Sequence, residues 1–204
     1  KSMNIIVTGA TGTGKTYFIL NVLAKTDKEI YAFSEHIDDF QTLEKLSGKT
    51  LKYYEVLTPN MPVNLPGNTC IDLSGLTDPE RVEWLDKFFG FRATDYNYIY
   101  YIDEAHAFFP SRNIGKHSVN LERVIRGGRK RGQDVIMVTH RPQDLDLSIL
   151  SQAMYIISFR SPEKNTAERI AANIGVKPDE IINLPEYTAI CYNTRTGERE
   201  YVKI

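Results

Sequence analysis

Residues 9–16, GATGTGKT, place two glycines, a lysine and a threonine at the spacing G-x-x-x-x-G-K-[ST]. Glycines allow a backbone to curl so that its N–H groups point inward at phosphate oxygens. A helix that follows such a loop adds the positive potential of its N-terminus. The chemistry that this spacing indicates is therefore the binding of a nucleotide's phosphates. The alternative is a glycine-rich turn between a strand and a helix that holds no ligand.

The same pattern predicts a role for each residue of the loop. Lys15 is expected to reach the β- and γ-phosphates and to act in catalysis, and the hydroxyl of Thr16 is expected to bind Mg²⁺. The residues predicted to contact the nucleotide are Gly9, Ala10, Thr11, Gly12, Thr13, Gly14, Lys15, Thr16 and Tyr17.

A second group of chemical residues ends an apolar run, YIYYIDEAH, at residues 98–106. Asp103 is predicted to hold the metal from the end of a buried strand, and Glu104 to polarise the attacking water. Alternatively, the two acids cap the next helix. Two consecutive acids favour ATP hydrolysis over nucleotide storage, and no N-K-x-D guanine-binding motif is present. The expected cofactors are ATP and Mg²⁺.

A basic segment, RVIRGGRKRG, occupies residues 123–132. Gly127 and Gly128 are expected to break a helix, so that the following arginines lie on a loop that leads into a core strand. Arg129, with Arg126 as the second choice, is predicted to contact the γ-phosphate of a neighbouring subunit. The other positive charges could contact DNA phosphates. A solvated helix face is the simpler interpretation of such a charge run.

The strand that follows ends in VTHRPQDLD, residues 138–146. Ligands bind at the carboxyl ends of parallel strands, so Thr139 and His140 are expected close to the γ-phosphate. Polar residues there can respond to hydrolysis and position water. Alternatively, His140 packs against its neighbours as a loop histidine.

These residues must be positioned by strands and helices that alternate along the chain. Short apolar runs at residues 4–9 and 134–140 predict buried strands, and residues 16–25 predict an amphipathic helix. Buried strands that alternate with helices predict an α/β fold with a doubly wound, mostly parallel sheet flanked by helices. The tail predicts a β-hairpin, which could pack on the nucleotide base or on the next subunit. We expect one domain over residues 1–204, with a core at 3–174 and an extension at 175–204.

The composition excludes several classes of protein. A formal net charge of -1 indicates no bulk attraction to a polyanion, although a local basic patch remains compatible with it. Two distant cysteines argue against a disulfide scaffold and fit a reducing compartment. No apolar run approaches the ~20 residues that cross a bilayer. These features predict a cytoplasmic location without a membrane span.

Together, GATGTGKT, YIYYIDEAH, GGRKRGQDVIMVTHRPQDL and ILSQAMYIISFR resemble the FtsK–HerA superfamily of P-loop ATPases over about residues 3–174. Members commonly have glutamine after the threonine, where this chain has His140. The resemblance implies a ring, most often a hexamer, that moves double-stranded DNA. The size of the chain is most similar to that of viral genome-packaging ATPases. That similarity implies a capsid or portal partner and a location in the host cytoplasm or at the virion.

Two alternatives stay open. IDEAHAFFPSR, at residues 102–112, also resembles the assembly ATPases of filamentous phages, which are related to zonula occludens toxin. Those proteins usually continue into a membrane helix, so the chain could be a fragment of one. A nucleotide-gated scaffold without sustained turnover is the third possibility.

Overall fold

The computed structural model describes residues 3–36, 38–110 and 117–204. Within them, nine strands form one sheet in the order β3-β4-β2-β5-β6-β1-β7-β8-β9. Strands β1 to β7 pair in parallel, and β8 and β9 form an antiparallel hairpin beside β7. The strands are β1 (Asn4–Thr8), β2 (Glu29–Phe33), β3 (Lys52–Glu55), β4 (Thr69–Asp72), β5 (Tyr98–Ile102), β6 (Asp134–Thr139), β7 (Tyr155–Phe159), β8 (Thr188–Asn193) and β9 (Arg199–Lys203).

Helices cover both faces of this sheet. The α-helices are α1 (Lys15–Ala24), α2 (Asp38–Ser47), α3 (Asp78–Arg92), α4 (Val119–Gly127), α5 (Leu147–Leu150), α6 (Lys164–Ile174) and α7 (Pro178–Ile182). Two short 3-10 helices lie at Ala105–Ala107 and Gly128–Arg131. In the described part of the chain, each helix is too short or too polar to cross a membrane.

Two hydrophobic cores hold the layers together. The core on one face contains buried residues of α3, α4 and α6, such as Trp84, Leu121 and Ile170. The core on the other face contains buried residues of α1 and α2, such as Ile19 and Phe40. The central strands contribute alternate side chains to the two cores, as expected for strands that are buried on both faces. The doubly wound, mostly parallel α/β fold and the C-terminal hairpin are therefore confirmed.

The parallel register determines which residues meet. Thr8, the last residue of β1, lies beside Thr139, the last residue of β6, and Ile102 at the end of β5 pairs with Met137. The segments that follow these three strands therefore emerge at one edge of the sheet, which we call the carboxyl edge. We call the opposite edge, where β5 and β6 begin, the amino edge.

Candidate nucleotide-binding site

The loop after β1 contains glycines at positions where the backbone of any other residue would be strained. Gly9 has φ 144°, and a Cβ placed on it would lie 2.6 Å from Cβ of Phe159 in β7. Gly14 has φ 102° and immediately precedes α1. Because side chains are disfavoured in both conformations, the glycines allow the chain to turn tightly from β1 into α1.

Lys15 points into this loop. Its Nζ donates hydrogen bonds to the carbonyl oxygens of Gly9 at 2.8 Å and Ala10 at 2.7 Å. The Thr13 hydroxyl also donates to the Ala10 carbonyl, at 2.7 Å. Burial lowers the pKa of Lys15, and the negative charges of Asp103 and Glu104 act in the opposite direction. The lysine is thus held inside the loop, where phosphate oxygens could replace the carbonyls as acceptors.

Asp103 follows β5 and is held from several sides. Its backbone N–H donates to the carbonyl of Phe33 at 2.9 Å. Its carboxylate accepts from the Ser34 hydroxyl at 3.1 Å and from the Glu104 backbone N–H at 3.0 Å. Burial raises the pKa of Asp103, and these two hydrogen bonds act against that rise. A partly buried carboxylate whose charge is poorly solvated is suited to a cation that compensates its charge.

Glu104 has a left-handed backbone conformation, with φ 49° and ψ 47°, which is uncommon for a residue other than glycine. Its carboxylate oxygens lie 2.8 and 2.9 Å from Nδ1 of His140, which donates to them. The other ring nitrogen of His140 accepts from Nε of Arg141 at 3.0 Å, so the two bonds fix the tautomer. Burial raises the pKa of Glu104, and His140 opposes that rise. His140 therefore orients the carboxylate that the sequence assigns to water activation.

Behind this pair, Thr139 and His106 form a second layer. The Thr139 hydroxyl lies 3.0 Å from Nδ1 of His106 and accepts from the Arg141 backbone N–H at 3.0 Å. Nδ1 of His106 is also 3.3 Å from the Glu104 carboxylate, a contact that favours a protonated ring. Burial, followed by the neighbouring His140 and Arg141, nevertheless lowers the pKa of His106 to about 4. We therefore treat His106 as neutral at physiological pH.

Two sets of donor atoms could hold a metal. Thr16 and Asp103 both line one cavity and offer oxygen atoms, and hard oxygen donors suit Mg²⁺. Glu104, His106 and His140 offer ligand atoms that all lie within 4.8 Å of one another. Nitrogen-rich sets suit transition metals rather than Mg²⁺. The donor chemistry of Thr16 and Asp103 therefore fits the predicted Mg²⁺.

The cavity at the carboxyl edge measures about 330 Å³. It also exposes two residues that the sequence analysis did not identify, His36 and Tyr187. Both come from loops far from the recognisable motifs, so their types and spacing carried no signal. The predicted site residues that line the cavity are Thr11, Gly12, Gly14, Lys15, Thr16, Tyr17, Asp103, Glu104 and His140.

The two candidate arginines lie elsewhere. The segment that contains Arg129 precedes β6 and contacts the amino edge, where the Arg131 carbonyl accepts from the Asn97 backbone N–H at 2.9 Å. Arg126, near the end of α4, pairs with Glu122 at 2.6 Å, whereas exposed Arg129 makes no ion pair with any described residue. Arg129 lies in a one-turn 3-10 helix rather than the irregular loop expected after the glycine pair. The structure therefore does not bring either arginine to the chain's own nucleotide loop.

With the geometry established, comparison with known proteins identifies the class. Residues 3–163 match the family described as zonular occludens toxin (Zot). The chain belongs to this family, and its fold is that of the P-loop NTPases of the FtsK–HerA type. Ser111 and Arg112, which complete the stretch that resembled the zonula occludens toxin relatives, lie outside the described residues. No curated protein sequence matches the chain.

Three solved structures illustrate the similarity of fold. The genome packaging NTPase B204 from Sulfolobus turreted icosahedral virus 2, in complex with ATP-gammaS, has a TM-score of 0.73 at 17% identity, with 99% of this chain and 97% of that chain covered. VirB4 of Thermoanaerobacter pseudethanolicus has a TM-score of 0.74 at 8% identity, covering 98% and 89%. The N-terminal domain of zonular occludens toxin from Neisseria meningitidis has a TM-score of 0.50 at 15% identity, covering 100% and 94%.

Proposed function

We propose that this chain is an ATP-hydrolysing motor whose site is the cavity at the carboxyl edge. The observation that carries the proposal is the convergence of Lys15, Asp103, Glu104 and His140, from three different strand ends, on one cavity. A lysine for the phosphates, a buried acid for a metal and a second acid for water are the parts that phosphoryl transfer to water requires. The fold brings these parts together from residues that are up to 125 positions apart, counted from Lys15 to His140.

The residues would act in the following way. The loop N–H groups and Lys15 hold the phosphates, after Lys15 exchanges its carbonyl partners for phosphate oxygens. Thr16 and Asp103 would hold Mg²⁺, which neutralises charge on the phosphate oxygens when it is bound. Glu104 accepts a proton as the water oxygen bonds to the γ-phosphorus and the bond to the β–γ bridging oxygen breaks. His140 keeps the Glu104 carboxylate in place, and the products are ADP and phosphate.

The site is incomplete without a cation for the charge that develops on the γ-phosphate. Arg129 is exposed and unpaired among the described residues, yet it belongs to the amino edge of its own chain. In a ring, that edge of one subunit can face the carboxyl edge of the next. We therefore assign Arg129 to the neighbouring subunit's site, with Arg126 as the second choice, and infer self-association into a ring, as a hexamer.

Double-stranded DNA is the proposed load, moved into a viral capsid through a capsid or portal component. The similarity of fold to a genome packaging NTPase over 97% of that protein's length supports this assignment. The exposed cations Arg123, Arg129 and Lys130 at the amino edge could contact phosphates of the DNA backbone. We place the motor in the host cytoplasm or at the virion.

A second candidate function is the assembly or export of filamentous phage. Membership of the Zot family specifically favours it, because the phage assembly ATPases that the sequence resembles are related to that toxin. In both functions the same site residues would hydrolyse ATP, so only the load distinguishes the two candidates. A scaffold that binds ATP without sustained turnover has no comparable support.

The test is steady-state ATP hydrolysis at low salt, with and without double-stranded DNA. We expect turnover that requires Mg²⁺ and rises when DNA is added. Lys15→Ala should abolish it, whereas Lys25→Ala, which removes an exposed lysine at the other end of α1, should not. If Lys15→Ala and Lys25→Ala both retained ATP turnover, the result would contradict the assignment of the site. Turnover that never responds to DNA, together with no DNA binding, would favour filament assembly over packaging.

A further inference from the structure

Tyr187 is an exposed aromatic residue beside the nucleotide loop. Its side chain is 52% exposed, and it lines the cavity that also contains Lys15 and Asp103. A ring at a cavity wall can bury further apolar surface when a ligand occupies the cavity. In the strand that follows it, Ala189 and Ile190 are buried, and the other residues are partly exposed.

The backbone holds Tyr187 in a strained conformation. Its φ is 56°, in the left-handed region that bulky residues rarely adopt. The Ile204 backbone N–H donates to the Tyr187 carbonyl at 2.8 Å, so the end of the hairpin fixes this residue. A strained residue held by its surroundings and placed in a cavity is a reason to look for a function.

The ring of Tyr187 also contacts the nucleotide loop directly. A Cβ built on Gly14 would lie 3.2 Å from Cδ1 of Tyr187 and 3.1 Å from Cδ1 of Ile204. Gly14 immediately precedes α1, and Lys15 is the first residue of that helix. Tyr187 therefore lies against the start of the helix that would receive the phosphates.

The sheet order indicates which end of a nucleotide Tyr187 would meet. The acids follow β5, two strands from β1 on one side, while Tyr187 precedes β8, two strands from β1 on the other side. Strand β8 runs antiparallel to β7, with Ala189 paired to Phe159, so Tyr187 emerges at the carboxyl edge. Neighbouring strands are about 4.8 Å apart, which places the acids and Tyr187 on opposite sides of the loop.

We propose that Tyr187 is the platform on which the nucleobase stacks. The inference rests on the proposed function, because the acids fix the γ-phosphate end and leave the nucleoside to point towards β7 and β8. Every base has a π-face, so stacking on tyrosine is tolerant of base identity. The platform therefore binds ATP and GTP alike, and the C-terminal hairpin serves to hold it in place.

The experiment compares the affinities of wild-type and variant protein for ATP, GTP and inorganic tripolyphosphate by calorimetry. Tyr187→Asn removes the ring but tolerates the left-handed backbone. We expect it to weaken ATP and GTP binding about tenfold to a hundredfold and to leave tripolyphosphate unchanged. Tyr187→Phe keeps the ring and should bind all three as the wild type does.

The matched control is Tyr201→Ala, which removes an exposed tyrosine from the same hairpin at a site where its hydroxyl bonds Glu180. It should leave all three affinities unchanged. Equal ATP affinity in Tyr187→Asn and the wild type would overturn the platform while leaving the proposed function intact. Tyr17 is the other exposed tyrosine of the cavity. A loss of ATP affinity in Tyr17→Ala but not in Tyr187→Asn would also overturn the platform. Failure of the wild type to bind ATP or tripolyphosphate would overturn both proposals.

Discussion

The two edges of the central sheet differ in how their charged groups are used. At the carboxyl edge, Asp103 and Glu104 are partly or largely buried and bonded to neighbours such as Ser34 and His140. At the amino edge, Arg129 projects into solvent without an ion pair to any described residue. The carboxyl edge is an ordered site whose own cation, Lys15, is held inside the nucleotide loop, and the amino edge offers an exposed guanidinium.

The buried ion pair at the amino edge makes the contrast sharper. Lys28 Nζ lies 2.6 Å from Asp134 in β6 and also donates to the Gly132 carbonyl. The nearby backbone N–H of Met3 donates to the same aspartate at 2.6 Å. Charges that maintain the fold at this edge are thus satisfied within the chain. The exposed arginine next to them is therefore available to another molecule.

The largest effect is expected where the two edges would have to meet. Arg129→Ala should lower ATP turnover by about 10³-fold or more, because it removes the cation that stabilises charge on the transferred phosphoryl group. Glu104→Gln should also be inactive. Mixing the two inactive proteins should restore measurable turnover, because a subunit with intact Glu104 then receives Arg129 from its neighbour. The measurement is phosphate release as a function of the mixing ratio.

The control for this complementation is Lys130→Ala, which removes the adjacent exposed cation and should retain most of the wild-type turnover measured without DNA. If both variants still assemble with wild-type subunits but no mixing ratio restores ATP turnover, the result would contradict an arginine that acts across an interface. The carboxyl edge would then still be an ordered site, but the amino edge would be an ordinary solvated surface.

The sequence predicted the carboxyl edge more completely than the rest. Residues 9–16 are contiguous, and the acids and His140 directly follow apolar runs, so alternation of strands and helices was enough to place them at one edge. His106 could not be predicted, because its contact with Thr139 joins residues that are 33 positions apart. Tyr187 and His36 could not be predicted either, since only the strand order brings their loops to the cavity.

The limits of the pattern are also visible at Gly127 and Gly128. Two glycines normally end a helix, and α4 does end at Gly127. The chain nevertheless continues as a 3-10 helix over Gly128–Arg131, where the Gln133 backbone N–H donates to the Gly128 carbonyl at 3.1 Å. This bond, together with the bond from the Asn97 backbone N–H to the Arg131 carbonyl, therefore outweighed the local propensity. A sequence pattern indicates where regular structure weakens, but not which hydrogen bonds replace it.

A smaller effect is expected in the pH dependence of the free energy of unfolding, because His106 lies at the carboxyl edge. Burial depresses the pKa of His106 from 6.5 to about 4, so the unfolded chain binds a proton between these values that the folded chain excludes. The stability linked to His106 is therefore complete above pH 6.5 and is lost as the pH falls towards 4. The shift corresponds to at most about 3 kcal/mol in the free energy of unfolding. His106→Gln should remove this part of the acid sensitivity, as measured by urea unfolding across that range.

His117→Gln is the matched control, because its side chain is 40% exposed and contacts Glu122 rather than Thr139 or Glu104. It should keep the wild-type pH dependence. Unfolding free energies of wild type and His106→Gln that run parallel from pH 7 to 4 would show that His106 is solvated. The carboxyl edge would then be less ordered than the contacts of His106 with Thr139 and Glu104 indicate.

The smallest effect is expected at Arg126, and it decides between the two arginines. Arg126 pairs with Glu122 one helical turn away, and both side chains reach solvent, so the pair should contribute at most about 0.5 kcal/mol to the free energy of unfolding. Because this carboxylate already occupies the guanidinium, Arg126→Ala should leave ATP turnover within about twofold of the wild type. The measurements are thermal unfolding and phosphate release, side by side with Arg129→Ala. A loss in Arg126→Ala as large as that expected for Arg129→Ala would move the intersubunit cation onto α4 and require the ion pair with Glu122 to break on assembly.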